Sequence, residues 1–349
     1  AQIAREIASG NGFSTKLIRP AAIWQFKDRK GELPKGNFPD TYHAPLNPFI
    51  NSFFLRFAKN SWQMTNMDLV YICDKILVGV QLAFFFLAIL VSYFTARRLF
   101  DERLAVLGSG MLLVCELFWD FSMSGLPQML MLFLFSCAAY VMVRMSEARS
   151  EKVSALRWSL MLGALFGLLA LTHAIVLFVL LGTLLFVLIA FRPFGRDAAV
   201  ILAVSALFYI PWMVRNHQVC GNAVGIGWYS GLAYVGGSEA KIMRAVSLEE
   251  TLKEATPRIF TLKLRTQLMD QFARIYQMLG NVLVAPVFFL ALLHLFKRPE
   301  TALFRWWLLT MWLFAVFGMC VVGLEPYEPL ISATMVKAND LHVLFIPLM

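Results

Sequence analysis

Long apolar blocks recur along this chain, and basic residues collect at every second connection between them. The clearest block runs from Ile76 to Phe94. Others run from Leu104 to Phe121, Leu126 to Val143, Leu160 to Thr172, Ile175 to Phe191, Ala198 to Met213, Val282 to Phe296 and Trp306 to Gly323, and a further one begins at Leu341. Crossing roughly 30 Å of hydrocarbon takes about 17 to 25 apolar residues, so these blocks predict membrane-spanning helices, the shorter ones tilted or in a thinned bilayer. A soluble fold is excluded by the same numbers. Of 349 residues 59% are hydrophobic and only 15% charged, against about 25% charge in a soluble domain.

Short cytoplasmic loops retain Lys and Arg. The clusters Arg97, Arg98 and Arg103; Arg144, Arg149, Lys152 and Arg157; Arg192 and Arg196; and Lys297, Arg298 and Arg305 therefore mark one side of the membrane. The opposite, outer side then receives residues 1–75, the turns near Ser124 and His173, the stretch 215–280, and 324–340. This divides the chain into a first outer loop (1–75), transmembrane helices (76–214), a second large outer loop (215–280) and further transmembrane helices (281–349). The net charge of +9 is explained by this topology, and nucleic acid is not a partner.

The outer loops carry order of their own. Ile3, Ala4, Ile7 and Ala8 sit at helical spacing with Arg5 and Glu6 opposite, and Gly10-Asn11-Gly12 stops that helix with residues that tolerate a left-handed turn. Asn47 and Pro48 cap and start a helix whose Phe49, Ile50, Phe53, Phe54 and Phe57 form one face, edged by Arg56 and Lys59. That is the pattern of a helix lying in the membrane interface. In the second loop Ser247 and Glu250 fit a capping box, and Leu268, Met269, Phe272, Ile275, Tyr276 and Leu279 make another apolar stripe. Both loops are expected to rest on the bilayer surface.

Gly225, Gly227 and Gly231 lack the spacing and the strand-to-helix setting of a dinucleotide site. The five cysteines show no CxxC spacing, and three lie in apolar blocks, which leaves Cys73 and Cys220 as the pair able to meet outside.

Four segments carry a family likeness: Ala4-Arg5-Glu6-Ile7-Ala8-Ser9-Gly10-Asn11-Gly12-Phe13, Tyr42-His43-Ala44-Pro45-Leu46-Asn47-Pro48, Ala96-Arg97-Arg98-Leu99-Phe100 after one span, and Pro211-Trp212-Met213-Val214-Arg215-Asn216 after another. In order and spacing they resemble the GT-C membrane glycosyltransferases, in the branch of bacterial protein O-mannosyltransferase-like enzymes and the lipid A aminoarabinose transferase. The resemblance covers nearly the whole chain. It implies an all-α polytopic helix bundle with interfacial amphipathic helices in its outer loops, in a bacterial inner (plasma) membrane with the active site facing the periplasm. It also implies transfer of a sugar from a polyprenyl-phosphate donor to a protein, lipid or glycan acceptor. In that family a first span and an acidic residue precede the segment that here reads Gln2-Ile3-Ala4-Arg5, so the resemblance marks this chain as an internal segment without that acid.

Such chemistry needs a carboxylate to take the acceptor's proton and cations to stabilise the departing phosphate, with the oxocarbenium-like sugar familiar from glycoside hydrolysis. The candidate acids are Glu116 and Asp120, four apart on one helix face near the outer end of their span, and Asp40, which also suits a turn in its Pro-rich loop. Gln128 stands where the family often carries an acid, which implies weaker proton transfer or metal binding there. The candidate phosphate-binding residues are Arg215 with Asn216 at the outer membrane edge, His43 near the Pro-Leu motif, and His173, which interrupts an apolar run. A guanidinium fork matches phosphate oxygens, though an arginine beside Trp212 also serves as an interface anchor. No cofactor is singled out, and His43 leaves room for a divalent metal. A lipid or solute transporter, which would place paired polar groups near the midplane, and a non-catalytic relative that binds lipid-linked sugar both stay open as alternatives.

Overall fold

A computed structural model describes residues 1–18, 22–23, 26, 36–62, 71–191, 195–227, 256–280, 284–322 and 341–348. The capping box at Ser247 and Glu250 lies outside the described residues. Thirteen α-helices are described: α1 Gln2–Ala8, α2 Leu46–Leu55, α3 Ile72–Leu99, α4 Glu102–Leu113, α5 Glu116–Met123, α6 Gln128–Ser150, α7 Leu156–Thr172, α8 Val176–Ala190, α9 Arg196–Cys220, α10 Pro257–Ala273, α11 Ile275–Met278, α12 Val284–Leu293 and α13 Pro299–Val322. Helices α3, α6, α9 and α13 are each long and apolar enough to cross a membrane. With the apolar helices α7, α8 and α12 beside them, the chain is an all-α, polytopic membrane protein.

The chain divides into two compact units. One, the loop-bearing unit, comprises residues 1–80, 210–272 and 319–335. Here α1 ends as its glycines predict, with Gly10 at φ +88° and Gly12 at φ +72°. Ile3, Ala4 and Ile7 are buried, and so is Glu6, contrary to its expected outward place. Burial of that carboxylate is tolerated because Asn11 Nδ2 donates to Glu6 Oε2 at 2.7 Å and Lys16 Nζ stands 3.4 Å from Oε1. Helix α2 starts at Leu46 after Pro45 rather than at a cap on Asn47. Its inner face is Asn47, Asn51, Ser52 and Leu55, while Phe49, Phe53 and Phe54, with Phe57 just beyond the helix, are exposed, as an interface-lying row requires. Helix α10 has the same polarity. Lys263, Gln267 and Gln271 face inward at four-residue spacing, and Leu268, Met269 and Phe272 face outward.

A two-stranded antiparallel ladder, β1 (Ser14–Thr15) with β2 (Phe38–Pro39), joins the two ends of the first loop in the register Ser14 to Pro39 and Thr15 to Phe38. Phe38 stacks edge-on against Phe26 at 4.8 Å in a small core with Ala22 and Ile226. A second core gathers Ala4, Leu55, Cys73 and Leu77. Above it Tyr71 accepts from Arg5 (3.0 Å) and donates to the Trp62 carbonyl (2.7 Å). No disulfide joins Cys73 to Cys220.

The other unit, residues 81–209, 273–318 and 336–349, packs around α6, which is buried along 78% of its most apolar stretch. Close helix approach depends on small residues, as is usual where lipid supplies no hydrophobic drive between helices. A Cβ added to Gly163 or Gly167 of α7 would stand 2.8 Å from Val204 Cβ or 2.7 Å from Phe208 Cβ of α9. Buried hydroxyls pair across helices: Ser92 with Ser136, Ser159 with Asp197, and Thr183 with the Trp307 indole. Two expected spans differ from their simplest reading. The block from Leu104 to Phe121 is broken at Val114 and Cys115, where α4 and α5 meet at 52°. The segment from Leu341 makes two buried 3-10 turns, His342–Leu344 and Ile346–Leu348, in place of a continuous helix start; Trp312 Nε1 donates to His342 Nδ1 there (3.2 Å).

Candidate functional site

Four of the seven residues singled out from the sequence come together in the loop-bearing unit. Asp40 follows β2 and is buried to 4% exposure. One carboxylate oxygen, Oδ1, accepts from the backbone N–H of Tyr42 (3.0 Å) and of His43 (2.8 Å), and Oδ2 lies 3.1 Å from His43 Nδ1. This is the turn role that its position suggests, extended by an imidazole. Burial alone would push the Asp40 carboxyl up. The His43 ring, by hydrogen bond and charge, and the two backbone N–H groups outweigh it and hold the carboxyl below its ordinary value. With Nδ1 against the Asp40 carboxylate, Nε2 is the ring nitrogen that Asp40 does not engage, and it donates in the imidazolium form. The side chain of His43 remains 44% exposed.

Arg215 closes the arrangement from α9. Its Nη1 donates to the Asp40 carbonyl and to Asn216 Oδ1 (3.0 Å), and Nη2 donates to the Phe13 carbonyl (3.2 Å). The guanidinium lies over the Trp212 ring, 4.8 Å from its centroid, and over Phe13 at 5.3 Å, while those two rings meet edge to face at 4.9 Å. Three of its five N–H donors are therefore committed to protein acceptors, and the fork retains capacity for an anion.

Thr41 links this cluster to the loop after α9. Its carbonyl accepts from Ile226 N at 3.1 Å. Gly225, at φ +66°, passes so close that an added Cβ would stand 2.0 Å from the same carbonyl oxygen. Only glycine meets both demands. Thr41 is buried, and its hydroxyl has no hydrogen-bond partner among the described residues.

The remaining candidates lie in the other unit. Glu116 and Asp120 occupy α5, four apart as expected, both exposed and neither paired with a described cation. His173 breaks the apolar run between α7 and α8 as its position predicts, its Nδ1 accepting from Ile175 N at 3.3 Å. Gln128 is wholly buried at the first residue of α6. Among the described residues no three His, Cys, Asp or Glu side chains converge as a metal site. Sequence reasoning passed over Phe13 as an aromatic wall, Thr41 and Gly225. Only the motif ending at Phe13 carries a signal; the sequence sets Gly225 in a Gly-rich loop after Arg215 that lacks the spacing of a dinucleotide site.

Comparison with known families decides the class. Residues 43–214 match the family model described as dolichyl-phosphate-mannose-protein mannosyltransferase. The match, over just under half of the chain, supports a membrane glycosyltransferase of the GT-C type. The matched stretch begins at His43, includes Glu116, Asp120 and His173, and stops one residue before Arg215. No curated protein and no solved structure gives a significant match to the glycosyltransferase.

Proposed function

We propose that this glycosyltransferase takes its sugar from a polyprenyl-phosphate donor and delivers it to an acceptor on the outer face of a bacterial inner membrane. The reading is carried by the Arg215 guanidinium, held against the Asp40–His43 pair at the end of a span helix with part of its donor fork unspent. A lipid phosphate leaves readily once its growing charge is met by fixed donors. Arg215 and His43 Nε2 are the groups assigned to it, with Asn216 orienting the guanidinium. Asp40 has both oxygens engaged, so its role here is to position His43. Glu116 and Asp120, with unspent oxygens, are the carboxylates assigned to the acceptor's proton, and His173 is assigned to the donor head group.

The test is a panel of polyprenyl phosphates carrying different sugars, incubated with the protein in nanodiscs and read as released lipid phosphate. Release from one or more members is expected. Turnover of nucleotide sugars with no release from any lipid phosphate would overturn the reading.

A further inference from the structure

A cleft in the helical unit, at the end of the bundle that carries the basic clusters, belongs to no part of the site above. It has a volume of about 250 Å³. Its mouth is formed by Asp101, Lys297 and Arg298. A narrower slot opening from the same Leu99, Phe100, Phe296 and Thr301 walls runs inward between Phe288, Phe304 and Leu308 to Arg305.

The cations of this cleft differ from their neighbours. Arg98 makes two hydrogen bonds to the Glu147 carboxylate (3.2 and 3.0 Å), Arg144 lies 3.3 Å from the same group, and Arg97 faces Glu102 at 3.8 Å. Lys297, Arg298 and Arg305 have no carboxylate partner among the described residues. Among the described residues Arg298 reaches only the Leu99 carbonyl, at 3.5 Å. Arg305 is 8% exposed, donates through Nη1 to the His294 carbonyl and lies over the Trp306 ring, and its buried Nε–H has no acceptor among the described residues. A buried guanidinium without a counter-charge is costly, and the cleft beside it is where a counter-charge would sit. The one acid at the mouth, Asp101, is occupied as the cap of α4, accepting from Leu104 N at 2.8 Å.

We propose that this cleft binds an anionic phospholipid. Its phosphate sits between Lys297 and Arg298 and faces Arg305, and its chains run along the apolar walls into the bilayer. Basic pockets between membrane helices select anionic head groups in this way. The mixed lining favours an amphiphile over a free ion: Phe296, Phe288 and Leu308 offer nothing to inorganic phosphate.

The experiment measures binding of phosphatidylglycerol, phosphatidylcholine and inorganic phosphate to the protein in a neutral detergent. Preferential binding of phosphatidylglycerol is expected, with a roughly tenfold or greater loss in the exposed double variant Lys297→Gln/Arg298→Gln. Arg305→Met should remove the preference as well, and the surface double variant keeps the test valid if that buried variant does not fold. Equal binding of both phospholipids, an unchanged preference in the folded double variant, or phosphate competing as well as the lipid would each overturn the assignment.

Discussion

The two units treat their candidate acids in opposite ways. In the loop-bearing unit Glu6, Asp40 and Arg215 are drawn in and tied to backbone groups or to neighbouring side chains. The helical unit draws in Asp197 and Arg305, on the Ser159 hydroxyl and the His294 carbonyl, but leaves Glu116 and Asp120 exposed on a short helix. The first arrangement fixes geometry at the cost of availability. The second leaves oxygens available without fixing them. A transferase needs both properties, a preorganised place for phosphate and a carboxylate with a free lone pair, and this chain distributes them between different residues.

The contrast breaks first at the loop crossing. Gly225→Ala adds a Cβ against the Thr41 carbonyl at a positive φ, so the backbone must shift, and overpacking with strain should cost about 3 kcal/mol. A thermal unfolding curve that matches the wild type would show that the crossing is looser than the structure has it.

Asp40→Asn should cost less, about 2 kcal/mol, because the variant can still accept from the two backbone N–H groups but loses the charge facing His43. The pH dependence carries a sign. The folded carboxyl is held below its unfolded value, so its contribution is fully present above the unfolded pKa of about 3.9 and is lost as pH falls through the lower folded value. Melting temperatures should converge for wild type and Asp40→Asn as the medium is acidified below about pH 4. A gap that stays constant would remove the His43 pairing from the account.

Glu116→Gln is expected to have the smallest effect on the fold, within about 0.5 kcal/mol, since the carboxylate is exposed and without a described partner. Its effect on turnover should nonetheless exceed that of any other exposed acid in the helical unit. Unchanged sugar transfer in a normally folded Glu116→Gln protein would leave the helical unit without a carboxylate used in chemistry.

The spans were legible because hydropathy is a sum over many residues, and so were the stop of α1 and the outward aromatic row of α2, which depend on local spacing. The meeting of Asp40, His43 and Arg215 was legible only as separate motifs. What joins them is backbone: Arg215 takes the carbonyls of Asp40 and Phe13, 175 and 202 residues away, and carbonyls carry no sequence signal. Glu6 turned inward for the same reason, because Asn11 and Lys16 supply partners that a helical wheel cannot show. The 3-10 turns after Leu341 answer to packing around Phe345 against Phe135 (5.2 Å), which outweighed the helical tendency of an apolar run.

The phosphate role of Arg215 is the claim on which the function rests most directly. Affinity for a polyprenyl phosphate, measured in nanodiscs for wild type, Arg215→Lys and Arg215→Ala alongside each protein's melting temperature, separates a ligand-binding guanidinium from a structural tie. A charge-assisted contact is worth about 1.5 to 3 kcal/mol, so Ala should bind about tenfold to a hundredfold more weakly, and Lys, which keeps the charge without the planar fork, should fall between. Unchanged affinity in Arg215→Ala with a lowered melting temperature would make Arg215 a tie between Phe13 and Asp40 alone, and would contradict the site.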